Sequence, residues 1–169
     1  MIKLSDTYKE LGIDFTFPIV IKDANGYKTY FETSGGYWSR SEYASDGNQT
    51  YYDNSKGFWS KSEYNYKGNQ TYYGESDGYW WKREYDSNGE ETYYENSKGF
   101  WSKSEYDSKG NQISYEDSHG YWRKCEYDSN GNQTYFETIG GYKEGTPRSQ
   151  SCSGTVIEVD GKKYKLTEL

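Results

Sequence analysis

The segment Gly47–Lys67, GNQTYYDNSKGFWSKSEYNYK, is one complete unit of the pattern that decides the fold. Its glycines recur every 21 residues in both directions. One set is Gly26, Gly47, Gly68, Gly89, Gly110 and Gly131, and the other is Gly36, Gly57, Gly78, Gly99, Gly120 and Gly141. Trp38, Trp59, Trp80, Trp101 and Trp122 keep the same interval, and a Glu-Tyr pair closes each unit, as at Glu63-Tyr64. Self-similarity at a fixed period is the signature of a repeat architecture. Five full units and a truncated sixth run from Asp23 to Tyr142, ending where Lys143 takes the place of tryptophan. Each unit holds two runs rich in Tyr, Thr and Trp, residue types that suit a pleated surface. A glycine about every ten residues excludes helix and supplies the positive φ of tight turns. The expectation is an all-β chain, an antiparallel meander of roughly twelve strands.

The odd period constrains the turns. Side chains alternate faces with a period of 2, so two loops of equal parity would flip equivalent residues in successive units. The natural solution is a two-residue loop at the Asn-Gly end and a three-residue loop at the Ser-x-Gly end. One face then collects Tyr51, Trp59, Lys61 and Glu63 with their equivalents. The other collects Thr50, Tyr52, Phe58, Ser60, Ser62 and Tyr64, and all four array phenylalanines, Phe31, Phe58, Phe100 and Phe136. Arg83, Arg123 and Trp81 are exceptions on this second face; the favoured reading is that they reach an edge, the alternatives being a functional role or a different loop assignment. A consistent register slip predicts a strongly twisted, coiled sheet or partial barrel. The Phe/Tyr/Ser face would point inward, with Ser, Thr and Asn satisfying the tyrosine hydroxyls.

The flanks read as non-repeat caps. Residues 1–22 form the N-terminal cap, with a short helix capped by Ser5 or Asp6, stopped by Gly12, and a strand broken by Pro18. Residues 23–142 are the six-unit array, 143–154 a linker, and 155–169 a C-terminal β-hairpin turning at Asp160-Gly161. The 169 residues carry a net charge of −7, and 20% of them are aromatic. That acidity argues against direct nucleic-acid binding, and no apolar run is long enough for a membrane helix. The start MIKLSDTYKELGIDF lacks a charged-then-apolar leader, so the expected location is cytoplasmic. Cys125 and Cys152 read as two incidental thiols, although a bridge between them is conceivable.

The phrases EYDSNGNQTYFE, EYDSKGNQ and EYDSNGEETYYENSKG resemble the YD-repeat (Rhs-like) family. The closest matches are Tyr85-Asp86, Tyr106-Asp107 and Tyr127-Asp128, while Tyr43-Ala44 and Tyr64-Asn65 depart from the pattern. The resemblance implies β-hairpin strips that coil into shells. In large toxins of that family the shells enclose a cargo domain, a role this short chain does not inherit. The style of ENSKGFWSKSEYD is also similar to small repeat proteins of bacterial prophages.

No catalytic constellation stands out, so the chain is expected not to be an enzyme and to need no cofactor or metal. There is no CxxC, HExxH or glycine-rich phosphate loop, and the single histidine, His119, falls at a turn. Glu42, Glu63, Glu84, Glu105 and Glu126 are copies of one position, whereas acid/base catalysis needs an asymmetric pair. Two binding features remain. One is the aromatic ladder of Trp38, Trp59, Trp80, Trp101 and Trp122 with Tyr51, Tyr72 and Tyr93, its tryptophans about 9–10 Å apart on alternate strands. The other is an acidic patch of Asp86, Glu90, Glu91, Glu95 and Glu105, able to attract a basic groove. These favour a protein partner. One concrete form is a phage-encoded inhibitor of a bacterial defence or nucleic-acid enzyme. The alternatives are a polysaccharide-binding ladder and a structural protein assembling as a homo-oligomer through its sheet edges.

Overall fold

The structure is a computed structural model that describes residues 3–147, 156–159 and 162–165. A helix, α1 (Leu4–Glu10), precedes β1 (Ile19–Lys22) and β2 (Lys28–Glu32). Then come β3 (Trp38–Tyr43), β4 (Gln49–Asn54), β5 (Trp59–Tyr64), β6 (Gln70–Glu75), β7 (Trp80–Tyr85), β8 (Glu91–Asn96) and β9 (Trp101–Tyr106). They are followed by β10 (Gln112–Asp117), β11 (Trp122–Tyr127), β12 (Gln133–Thr138) and β13 (Lys143–Gly145). β14 (Val156–Val159) and β15 (Lys162–Lys165) form an antiparallel pair of their own. Strand order in the 13-stranded sheet follows the chain, so this is an antiparallel meander that does not close into a barrel. The chain divides into two compact units, Met1–Ser104 with Asp117–His119, and Glu105–Glu116 with Gly120–Leu169.

Both kinds of turn have three residues, which corrects the two-residue loop expected at the Asn-Gly end. Ala44 N–H donates to Asn48 O and Gly47 N–H to Ala44 O, and the same geometry recurs with Asn54, Phe58 and Gly57. The odd residue sits instead in a β-bulge. Glu42 pairs with Tyr51 and Tyr43 with Gln49, leaving Thr50 without a partner. Thr29, Thr71, Thr92 and Thr134 are skipped in the same way. A bulge absorbs one extra residue in one strand. It also frees groups on the facing strand, and the Thr29 and Thr134 hydroxyls donate to the carbonyls of Ile21 and Glu126 there. Gln49 therefore takes the second-face position assigned to Thr50, and its Nε2 donates to Ser41 Oγ at 3.0 Å. In the strand bodies the expected faces hold, because Tyr51 pairs with Lys61, Tyr52 with Ser60 and Glu63 with Tyr72.

Neither face is closed into a core, contrary to the inward Phe/Tyr/Ser face. Phe58 and Trp59, on opposite faces, are 38% and 40% exposed, and the buried hydrophobic residues among those described are Ile19, Cys125 and Tyr135. Cohesion comes from the ladder hydrogen bonds, from ring contacts such as Tyr52–Phe58 and Tyr94–Phe100 at 6.0 Å, and from tyrosine hydroxyls. Tyr64 and Tyr85 donate to the carbonyls of Gln49 and Gln70, and Tyr37 and Tyr52 share a bond of 2.9 Å. Backbone carbonyls and other tyrosines thus meet much of the demand assigned to Ser, Thr and Asn. Arg83 lies on an inner strand, not at an edge. It sits 4.3 Å over the Trp81 ring and pairs with Glu91 at 3.1 Å. Arg123, also on an inner strand, lies over Tyr115 and donates to Gln112.

The N-terminal helix is capped differently from expectation. Neither Ser5 nor Asp6 is its cap; Lys3 holds that position without a side-chain bond, and Gly12 follows the helix at φ 68°. Lys143–Gly145, where the linker was expected to begin, form β13 against β12. The rest of the proposed linker from residue 148, the Asp160-Gly161 turn and Cys152 lie outside the described residues. Cys125 is a free, buried thiol.

Candidate binding face

In the first unit the face bearing Trp38, Trp59, Trp80 and Trp101 is built from three recurring columns. The tryptophans open β3, β5, β7 and β9. Each is held by the turn after the next strand: Ser55, Ser76, Ser97 and Ser118 donate backbone N–H groups to the carbonyls of Trp38, Trp59, Trp80 and Trp101. Three of those serines also accept the tryptophan backbone N–H on Oγ. The second column is opposite the tryptophans, where Glu32 faces Trp38, Asp53 faces Trp59, Gly74 faces Trp80 and Glu95 faces Trp101. The third is Tyr30, Tyr51, Tyr72 and Tyr93, each two residues before that second column. Cross-strand neighbours on one face are the unit of sheet stabilisation, so these columns stabilise one another.

Cations complete the face. Arg40 grips Asp53 through two bonds of 3.1 and 3.2 Å, and Lys82 lies 3.5 Å from Glu95. Lys61 pairs with Gly74, which offers no carboxylate, so it turns to Glu63 at 2.6 Å. Tyr72 occupies the space a side chain at Gly74 would need, its hydroxyl 2.5 Å from where a Cβ would stand. Lys82 and Lys103 hold their ammonium groups 5.4 Å from the Trp80 and Trp101 ring centres. One side of each of those rings therefore already carries a cation.

At the first repeat this face is covered by α1. Leu4 N–H donates to Tyr30 Oη at 3.1 Å, Ser5 N–H to Glu32 Oε2 at 3.0 Å, and Ser5 Oγ to Glu32 Oε1. Tyr30 Oη donates to Glu32 Oε2 at 2.8 Å. Glu32 is 1% exposed. Burial pushes its carboxyl up, but the Ser5 hydroxyl, the Ser5 amide and Tyr30 together hold it below its ordinary value. Burial raises Tyr30 to about 12, and the adjacent carboxylate adds to that. Sequence reasoning passed over Glu32, whose partner Ser5 is 27 residues away.

The expected acidic patch is not one patch. Asp86 is spent inside its turn, where its Oδ1 accepts the N–H groups of Asn88, Gly89 and Glu90. Those bonds, Glu90's foremost, lower its carboxyl below the usual value. Glu91 sits on the second face with Arg83, and Glu95 on the tryptophan face with Lys82. Glu105 belongs to the second unit and is exposed, and Trp122 belongs to that unit too. His119 is exposed, with its ring 5.5 Å from Phe100. Among the described residues no cluster of three or more His, Cys, Asp or Glu is placed to hold a metal ion, and no helix is long and apolar enough to cross a membrane.

Comparison with known proteins adds the fold. No family model and no curated protein matches the chain. The crystal structure of TcdB2-TccC3-TEV matches over 74% of this chain at 11% identity, with a TM-score of 0.51. That of TcdB2-TccC3 without its hypervariable C-terminal region matches over 75%, again at 11% identity and 0.51. The likeness is one of fold. It is a distant likeness to YD-repeat proteins, and this chain spans 8% of the length of each matched chain.

Proposed function

We propose that the chain is a non-enzymatic, protein-binding repeat that contacts its partner through the tryptophan face of the first unit. The observation that supports this is the seat of α1, a protein segment resting on the first Tyr-x-Glu copy of that face through Tyr30 and Glu32. Aromatic rings rimmed by charged groups are the usual composition of a protein contact. In its specific form the partner is a bacterial defence or nucleic-acid enzyme in the cytoplasm, inhibited when its basic groove is occupied. The net charge of −7 supports attraction to such a groove. Polysaccharide binding is the less favoured reading, because Lys82 and Lys103 stand over the rings a sugar would stack on.

The test is affinity capture from bacterial lysate with immobilised chain, at low and high salt, beside the Trp80→Ala/Trp101→Ala variant. A partner held by the wild type and released by the variant is expected. Absence of any variant-sensitive partner at both salts removes the proposal. Adding the captured enzyme's substrate then tests inhibition directly.

A further inference from the structure

α1 has no cap of its own. Its N-cap residue, Lys3, makes no side-chain bond to the helix, although the first N–H groups of a helix need acceptors. Glu32, on the sheet, supplies one, with Tyr30 beside it. The Tyr-x-Glu pair followed by tryptophan is thus a socket for a helix start. The carboxylate meets the Ser5 amide and the positive end of the helix dipole, and the tyrosine hydroxyl meets the Leu4 amide.

Later repeats vary this socket. Asp53 is a methylene shorter and is gripped through both oxygens by Arg40. Position 74 is glycine and position 114 is serine. In the first unit, Tyr93, Glu95 and Trp101 are the complete second copy. Tyr93 Oη donates to Glu95 Oε2 at 3.2 Å, as Tyr30 does to Glu32. Burial and that bond raise Tyr93 above its ordinary value. A groove of about 320 Å³ opens there between Trp80 and Trp101, with Glu95 and Ser97 in its lining. The space beside it is free. A methyl group built at Gly36 would meet the Lys3 ammonium at 2.9 Å, whereas at Gly99 nothing lies within 4 Å. Glu95 also keeps acceptor capacity. An ionised carboxylate takes about four hydrogen bonds. Glu95 has the Tyr93 bond and a 3.5 Å pairing with Lys82, whose side chain is 57% exposed and can swing aside.

We propose that the groove lined by Glu95, with Tyr93 bonded to that carboxylate, binds the first turn of a helix in a partner protein, one that carries a serine or threonine near its start and lacks its own cap. This deepens the protein-binding role and rests on it. The probe is a lactam-stapled peptide of residues 3–13, KLSDTYKELGI, titrated into the full chain while tryptophan emission is followed. Saturable binding is expected, weakened at least tenfold in the Glu95→Gln chain and with a Ser5→Ala peptide, and unchanged in a Glu75→Gln chain, whose tyrosine-bonded carboxylate lies on the opposite face. Where Glu95→Gln alters the near-UV circular dichroism, Tyr93→Phe replaces it, with a threefold or larger loss expected. No saturable binding, or equal binding by the Glu95→Gln chain, overturns the proposal. Equal weakening in the Glu75→Gln chain overturns it too, since the effect would then not belong to the groove. Glu95-dependent self-association of the chain alone gives the groove to a second copy and likewise overturns it. A lysate partner that depends on Trp80 and Trp101 but ignores Glu95→Gln leaves the protein-binding role standing and removes the helix-start site.

Discussion

Glu32 is the residue whose chemistry is most singular. It is a buried carboxylate without a neighbouring strand cation, because β1 places Ile19 opposite it where later repeats place Arg40 or Lys82. The Ser5 hydroxyl and amide, with Tyr30, do the work of that cation. Truncation by Glu32→Ala strands the Ser5 amide and the Ser5 and Tyr30 hydroxyls, and is expected to cost about 2 kcal/mol, read as faster hydrogen exchange across Leu4–Leu11. The pH dependence has a definite sign. The folded pKa of Glu32 lies below its unfolded value. Its contribution is therefore full above the unfolded value, near pH 4.3, and is lost as the pH falls through the folded one. Acid should release α1, and Glu32→Gln should abolish that acid step. Tyr30 behaves oppositely. Raised to about 12, mainly by burial, it should ionise above the ordinary tyrosine value in an ultraviolet titration, a delay shortened in Glu32→Gln as the carboxylate's share is removed. Its contribution is full below the ordinary value of 10.0 and is lost as the pH rises through the folded one. None of this was legible in the sequence, where Glu32 is one more carboxylate of a repeated column. What distinguishes it is the absence of a cation on a strand that carries no repeat.

At the level of strands and turns, much more could be read. Period and composition gave the hairpins, and parity correctly sorted Tyr51, Trp59, Lys61 and Glu63 from Tyr52, Ser60 and Ser62. The place of the odd residue was misjudged, because a bulged threonine and a shorter loop satisfy the same count. The difference is testable. Deleting Thr71 should leave Gln70 opposite Tyr64 and Tyr72 opposite Glu63 in an unbroken ladder with every face preserved. Deleting Ser60 turns the rest of β5 inside out. The first variant should unfold cooperatively near the wild-type denaturant midpoint, and the second should not fold. The turn glycines give a graded comparison. Gly99 has φ 81° with open space around it, so Gly99→Ala should cost about 1 kcal/mol for the left-handed backbone alone. Gly47, at φ 88°, also has the Tyr27 hydroxyl where a Cβ would stand, and Gly47→Ala should cost more.

On the scale of the chain, cohesion within the first compact unit passes from each repeat to the next through the turn serines bonded to the preceding tryptophan and through the paired columns, with hardly a buried apolar residue among those described. Stability should then follow nearest-neighbour terms. Excising residues 55–75 joins Asn54 to Ser76, its natural successor one unit on, and should give a folded chain with a lower denaturant midpoint. Collapse of the whole array would speak against that additivity. The repeat count and the meander were plain in the sequence. The openness of both faces was not, because aromatic content alone does not say whether a second layer covers it. The dependence of α1 on Glu32 also orders events in time. Residues 4–10 leave the ribosome before the strand that will receive them, and a helix of seven residues is too short to persist in water alone. The segment made early therefore settles only after a strand made later, and its arrival reports that β2 is already in place.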